Sequence, residues 1–152
     1  MAPTAKEHDG ADTEARALRH ESRAGSTYAQ FVRDVASRGG YTREAAERYV
    51  VATLTTLEER LPIQEVRALE SQLPTRLDGI LAFQPMLALP TMDRSTFCWR
   101  FAVRAGVPEE EAEPIVRLVF RVLRLHISAG ESRHIEAQLS EDLKKLWVGL
   151  EL

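Results

Sequence analysis

YAQFVRDVASRGGYTREAAERYVVATLTTLEER (residues 28–60) and RSTFCWRFAVRAGVPEEEAEPIVRLVFRVLRLH (residues 94–126) are two versions of one text. Moved forward by 66 positions without a gap, residues 28–81 fall on residues 94–147 with fifteen identities. Phe31 meets Phe97, Ala36 meets Ala102, Arg38 meets Arg104, Gly40 meets Gly106 and Glu44 meets Glu110. Beyond the quoted stretch, Glu65, Arg67, Glu70, Gln72, Leu73 and Leu77 meet Glu131, Arg133, Glu136, Gln138, Leu139 and Leu143. Other pairs exchange one apolar residue for another, among them Val35 with Phe101 and Leu54 with Phe120. An ungapped internal match of this kind means two copies of one structural unit.

The unit reads as helical throughout. Ala46, Tyr49, Val50, Thr53, Leu54, Leu57 and Leu61 recur at steps of three and four, the core stripe of an amphipathic helix, and the second copy repeats the pattern from Ala112 to Ile127. Thr27 and Asp93 are N-caps for the first helix of each copy, and Met92 with Phe97 spells a hydrophobic staple. Gly39-Gly40 and Gly106 end that helix, because a left-handed terminal residue is cheapest as glycine. A third helix follows Pro62, or the capping box Ser128-Ala129-Gly130-Glu131, and a fourth starts at Pro74 or Ser140. No alternating β-branched run argues for a strand. Pro114, several residues into the second long helix, should kink it or delay its start.

The expected fold is therefore all-α: two tandem four-helix repeats, 27–81 and 93–147, packed with pseudo-twofold symmetry as one domain over residues 26–150. The long helices, about 42–61 and 109–127, should meet at its centre. Residues 82–92 are too apolar for a loose linker and should cross the core. Residues 1–25 carry Leu18 as almost their only large apolar side chain, and the expectation there is a disordered tail.

The 152 residues carry a formal net charge of −3, so no strong field draws the chain to nucleic acid or anionic lipid. Cys98 stands alone, which rules out an intramolecular disulfide and a thiolate cluster. No apolar run approaches the roughly 18 residues of a membrane span, and a cytoplasmic location is expected.

Val-Ala-Thr-Leu-Thr-Thr-Leu-Glu-Glu-Arg-Leu-Pro (51–62), Ser-Gln-Leu-Pro-Thr-Arg-Leu (71–77) and the weaker echo Ala-Gln-Leu-Ser-Glu-Asp-Leu (137–143) resemble the bacterial domain-of-unknown-function family 2267. The resemblance covers roughly residues 26–148 and implies a small all-α domain with a duplicated layout. The second copy departs from the motif at Ser140, where the first has Pro74. The family has no settled activity, so no residue inherits a role.

Candidate chemistry is sparse. His8 and His20 lie in the tail. Glu131 and His134, three apart on one helix, would make half of a metal site, with His126 completing it across the turn, but exposed turn histidines are the ordinary explanation. Cys98 replaces Val32 and reads as a small apolar residue. Glu109, Glu110, Glu111 and Glu113 crowd a helix start, where the dipole favours them. The recurring Glu65/Arg67/Glu70 and Glu131/Arg133/Glu136 sets read as local ion pairs and caps. No phosphate-cradling glycine loop or zinc spacing occurs, so neither an enzyme nor a cofactor is expected.

Divergence between the copies is more informative. Leu118, Val122 and Leu125 form an apolar line where the first copy has Ala52, Thr56 and Glu59, and Trp99 replaces Arg33. Arg117, Arg121 and Arg124 run beside that line, with Arg100 and Arg104 on the preceding helix. The favoured reading is a non-catalytic interaction module. Trp99, Leu118, Val122 and Leu125 would be its anchors and Arg117, Arg121 and Arg124 its rim, facing a protein partner or a second copy. The alternatives are a nucleic-acid or phosphate-ligand binder on the arginine face, and a small-molecule or metal binder between the repeats near His126 and His134. The acidic total and the scarcity of lysine, three of twenty basic residues, weigh against nucleic acid.

Overall fold

In a computed structural model of the chain, residues 28–72 and 91–149 are described. Every regular element among them is helical. Helix α1 covers residues 28–39, α2 Arg43–Arg60 and α3 Ile63–Gln72. Then come α4 (Arg94–Ala105), a 3₁₀ turn (Glu109–Glu111), α5 (Ala112–His126), α6 (Ala129–Glu136) and α7 (Glu141–Val148). The expected tail at 1–25, the cap Thr27, the helix starting at Pro74 and most of the 82–92 connection lie outside the described residues. No described helix is long and apolar enough to cross a membrane.

The helix ends follow from local chemistry. Thr42 Oγ1 accepts from Ala45 N at 3.1 Å, Asp93 Oδ1 from Thr96 N at 2.8 Å and Ser128 Oγ from Glu131 N at 3.0 Å. Each satisfies a donor that the first helical turn leaves orphaned. Gly40 and Gly106 take positive φ of 70° and 72°, so the chain leaves α1 and α4 through a left-handed residue. Pro114 delays the helix instead of kinking it. The chain first makes a 3₁₀ turn, with Glu111 N donating to Pro108 O at 3.0 Å, and α5 begins at Ala112. Pro114 is thus the third residue of α5, where a backbone N–H has no intrahelical acceptor to lose.

The core is one cluster drawn from both halves of the chain. Phe31, Val35, Val50 and Leu57 join Phe97, Phe101, Val116, Phe120, Leu123, Leu143 and Trp147, all fully buried. Phe120 sits between Phe97 and Trp147, with ring centroids 5.3 Å and 5.0 Å away. Met92 and Phe97 are both buried in this cluster, consistent with the staple. Helix α2 contacts α5, as the two broad stripes predict, but it packs most extensively against α4. Of its buried polar residues, Thr56 is satisfied from two sides: its Oγ1 donates to Ala52 O at 2.8 Å and accepts from Arg104 at 2.8 Å.

Candidate functional site

The outer side of α5 carries an open groove of about 600 Å³, lined among the described residues by Glu110, Glu113, Pro114, Arg117, Leu118 and Arg121. Its shape follows from the helix start. Pro114 stands exposed at the first turn, and Leu118, one turn on, is half-buried with its base packed on the core. Arg117 and Arg121 flank Leu118 at the four-residue spacing that puts side chains on one face.

Electrostatics organise one end of this groove. Glu113 accepts from Arg117 at 2.8 Å, the pairing that four-residue spacing predicts, and is clasped by two nitrogens of Arg94. The Arg94 bond, followed by Arg117, holds the Glu113 carboxyl below its ordinary range, and Glu113 in turn raises Arg94. Arg121 is exposed. An adjoining depression of about 600 Å³ shares Glu110 and Glu113 and includes Cys98. Burial pushes the Cys98 thiol up to about 11, so it stays protonated at neutral pH and packs as the small apolar residue expected.

The structure redistributes the expected interface residues. Val122 is completely buried, so it belongs to the core and is no surface anchor. Leu118 is half-buried, whereas Leu125 and Trp99 are 62% and 51% exposed. Val103, which the sequence reading overlooked, is 64% exposed one turn beyond Trp99 on α4. Arg100 and Arg104 reach across to α2 and pair with Glu59, Arg104 Nη1 lying 3.1 Å from Oε1. Arg124 is partly buried, and that burial lowers its pKa. The arginine face is therefore neutralised over much of its length.

The expected metal trio also separates. His126 Nε2 lies 3.0 Å from Asp34 Oδ2, with its ring 5.4 Å from Phe31, which ties α5 to α1. His134 and Glu131 instead meet Glu65 from α3, and the three donor atoms lie within 4.8 Å of one another. The capping box at Ser128 is only half formed. Ser128 Oγ caps Glu131 N, but Ser128 N donates to Gln72 Oε1 of α3 at 2.8 Å, not to the Glu131 carboxylate. Burial, then the facing Glu65, pushes the Glu131 carboxyl up to about 8. Among the described residues neither Glu65 nor Glu131 makes the local ion pair that the sequence suggested.

A second groove of about 440 Å³ lies on α2, lined by Glu44, Glu47, Arg48, Val51, Ala52 and Thr55, with Arg104 at its edge. Comparison with curated proteins finds no match. A family model does match, over residues 28–146, which is most of the chain and all but the last few described residues. The chain belongs to the family described as "Uncharacterized conserved protein (DUF2267)".

Proposed function

We propose that this chain is a non-catalytic interaction module. In this reading it is a duplicated four-helix unit with pseudo-twofold packing, whose second copy seats a protein segment in the groove along α5. The carrying observation is positional. All six lining residues of the α5 groove, at 110, 113, 114, 117, 118 and 121, have their repeat partners 66 positions earlier, at 44, 47, 48, 51, 52 and 55, lining the α2 groove, which Arg104 also borders. The bounds of α1 and α4, 28–39 and Arg94–Ala105, differ by the same amount. So do those of α2 and the combined span of the 3₁₀ turn and α5. A further parallel supports the pseudo-twofold. Asp34 of α1 meets His126 at the end of α5, and its repeat partner Arg100 pairs with Glu59, one residue before the counterpart of His126 at the end of α2.

Two grooves at equivalent positions have different chemistry. Val51, Ala52 and Thr55 of the first become Arg117, Leu118 and Arg121 in the second. An apolar floor beside the exposed Arg121 suits a segment that presents an apolar side chain next to a carboxylate. Both a second copy of this chain and a different protein can supply such a segment. The phosphate-binding alternative is less favoured, because Arg94, Arg100, Arg104 and Arg117 are all paired with glutamates.

The test is native mass spectrometry of the chain purified gently from its own host, wild type beside Leu118→Ser/Arg121→Glu. Both positions are outside the fully buried core, so circular dichroism should show an unchanged fold. A dimer or bound protein in the wild type that is lost in the variant is the expected result. Equal association by both proteins, or a bare monomer of 17.1 kDa in each at tens of micromolar, would reject the groove.

A further inference from the structure

Helices α3 and α6 pack together, and each presents a glutamate from its first turn to the other. Glu65 and Glu131 occupy equivalent positions of the internal match, 66 residues apart. Glu131 is only 5% exposed, and apart from a proton shared with the facing Glu65 its Oε2 has no hydrogen-bond partner; Oε2 of Glu65 is in the same condition. Burying an oxygen in this way is costly unless something positive or protic meets it. The usual employment of Glu131, closing a capping box, has been taken over by Gln72, whose Oε1 receives Ser128 N at 2.8 Å. Arg67 and Arg133 are exposed and pair with neither carboxylate.

His134 completes the picture. It lies three residues after Glu131, the helical spacing that stacks an imidazole and a carboxylate on one face. In the first copy that position is Ala68, so the pseudo-symmetric glutamate pair has gained one nitrogen donor on one side only. All three donor atoms lie within 4.8 Å of one another. Ligand atoms around a first-row cation, bound at about 2.0–2.2 Å, sit roughly 3–3.5 Å apart, so small side-chain rotations bring these three onto one ion.

We propose that Glu65, Glu131 and His134 form a binding site for a divalent first-row transition cation, Zn²⁺ or Mn²⁺ in character, that clasps α3 to α6. Two carboxylates and a neutral imidazole balance the charge of a divalent ion and favour it over Ca²⁺ or Mg²⁺, which prefer all-oxygen shells. His134 is exposed, which leaves the solvent side of the ion for water or for a ligand from outside. The site is independent of the α5 groove and does not rest on it.

The experiment uses the full chain without an affinity tag, treated with chelator, dialysed, and titrated calorimetrically with Zn²⁺ and separately with Mn²⁺. Thermal unfolding is followed with and without the ion. The wild type should take up one equivalent and unfold at a higher temperature when loaded. Glu131→Gln and His134→Ala should each bind at least about tenfold more weakly and lose the thermal shift, while His126→Ala should behave as wild type. Glu131→Gln keeps the shape of the buried side chain and His134 is exposed, so both variants should remain folded for the comparison. Three results would overturn the proposal: no stoichiometric uptake of either ion by the wild type, undiminished uptake by Glu131→Gln, or loss of uptake in His126→Ala alone.

Discussion

Val122 and Leu125 are near neighbours on α5, both aliphatic, and the sequence placed them on one exposed line. The structure separates them completely: Val122 is 0% exposed and Leu125 62%. Truncating each to alanine should therefore have very different consequences. Val122→Ala removes two buried methyl groups, a transfer loss of about 1.6 kcal/mol at about 0.8 kcal/mol per carbon. The void left behind adds roughly 0.7 kcal/mol more, for a total near 2.3 kcal/mol. With a urea m-value of about 1.5 kcal/mol/M, the unfolding midpoint should fall by about 1.5 M at unchanged slope. Leu125→Ala removes a side chain that water already reaches, and alanine is the better helix former, so its midpoint should stay within about 0.3 M of wild type. Urea titrations followed by circular dichroism at matched concentration measure both. Equal shifts, or a larger one for Leu125→Ala, would refute the placement of α5 in the core. The same contrast means that a charge introduced at Val122 would probe folding, not binding.

Phe120→Ala should be more severe, since it empties the space between Phe97 and Trp147; a loss of about 3–5 kcal/mol in denaturant unfolding is expected, and a loss below about 1 kcal/mol would contradict the ring cluster. Ser128→Ala should cost about 1 kcal/mol by removing the cap on Glu131 N, and Gln72→Ala should weaken the same helix end by leaving Ser128 N without its 2.8 Å acceptor. The pH dependence of chelator-treated protein has a definite sign. Glu131 titrates near 8 when folded against an ordinary 4.5, so folding takes up a proton. Its contribution is complete below about pH 4.5 and is lost as pH rises toward 8. Glu113 behaves oppositely, because Arg94 lowers its pKa and its contribution disappears only as pH falls below the ordinary carboxylate range. Between pH 5 and 8 wild-type stability should therefore decline with pH through Glu131, and Glu131→Gln should flatten that slope; an unchanged slope would remove the buried carboxyl from the account.

Features decided within a few residues were legible in the sequence. Asp93, Ser128 and Ser140 cap helices and Gly106 ends one, because each acts on backbone groups next to it. The Glu113–Arg117 pair was readable for the same reason. Val122 was misplaced by an inference from polarity: its repeat partner Thr56 looked like a surface residue. Thr56 is in fact fully buried, its hydroxyl satisfied by Ala52 O and by Arg104. A threonine with a carbonyl four residues back does not report exposure. The arginines were overcounted as a free cationic face because Glu59, which takes two of them, is 41 and 45 residues away in sequence. The Glu65–Glu131 encounter was hidden in a similar way. It depends on how α3 meets α6, and its one sequence signal, a glutamate recurring at the repeat spacing, reads equally well as a local cap.

Hydrogen–deuterium exchange across a concentration series, repeated with any protein that co-purifies, tests the proposed binding face most directly. The account predicts added protection in peptides spanning Glu109 to Arg121, with the equivalent α2 surface around Glu44 to Thr55 unchanged. Protection confined to α2, or to the Trp99 and Val103 side of α4, would place the contact elsewhere and contradict it.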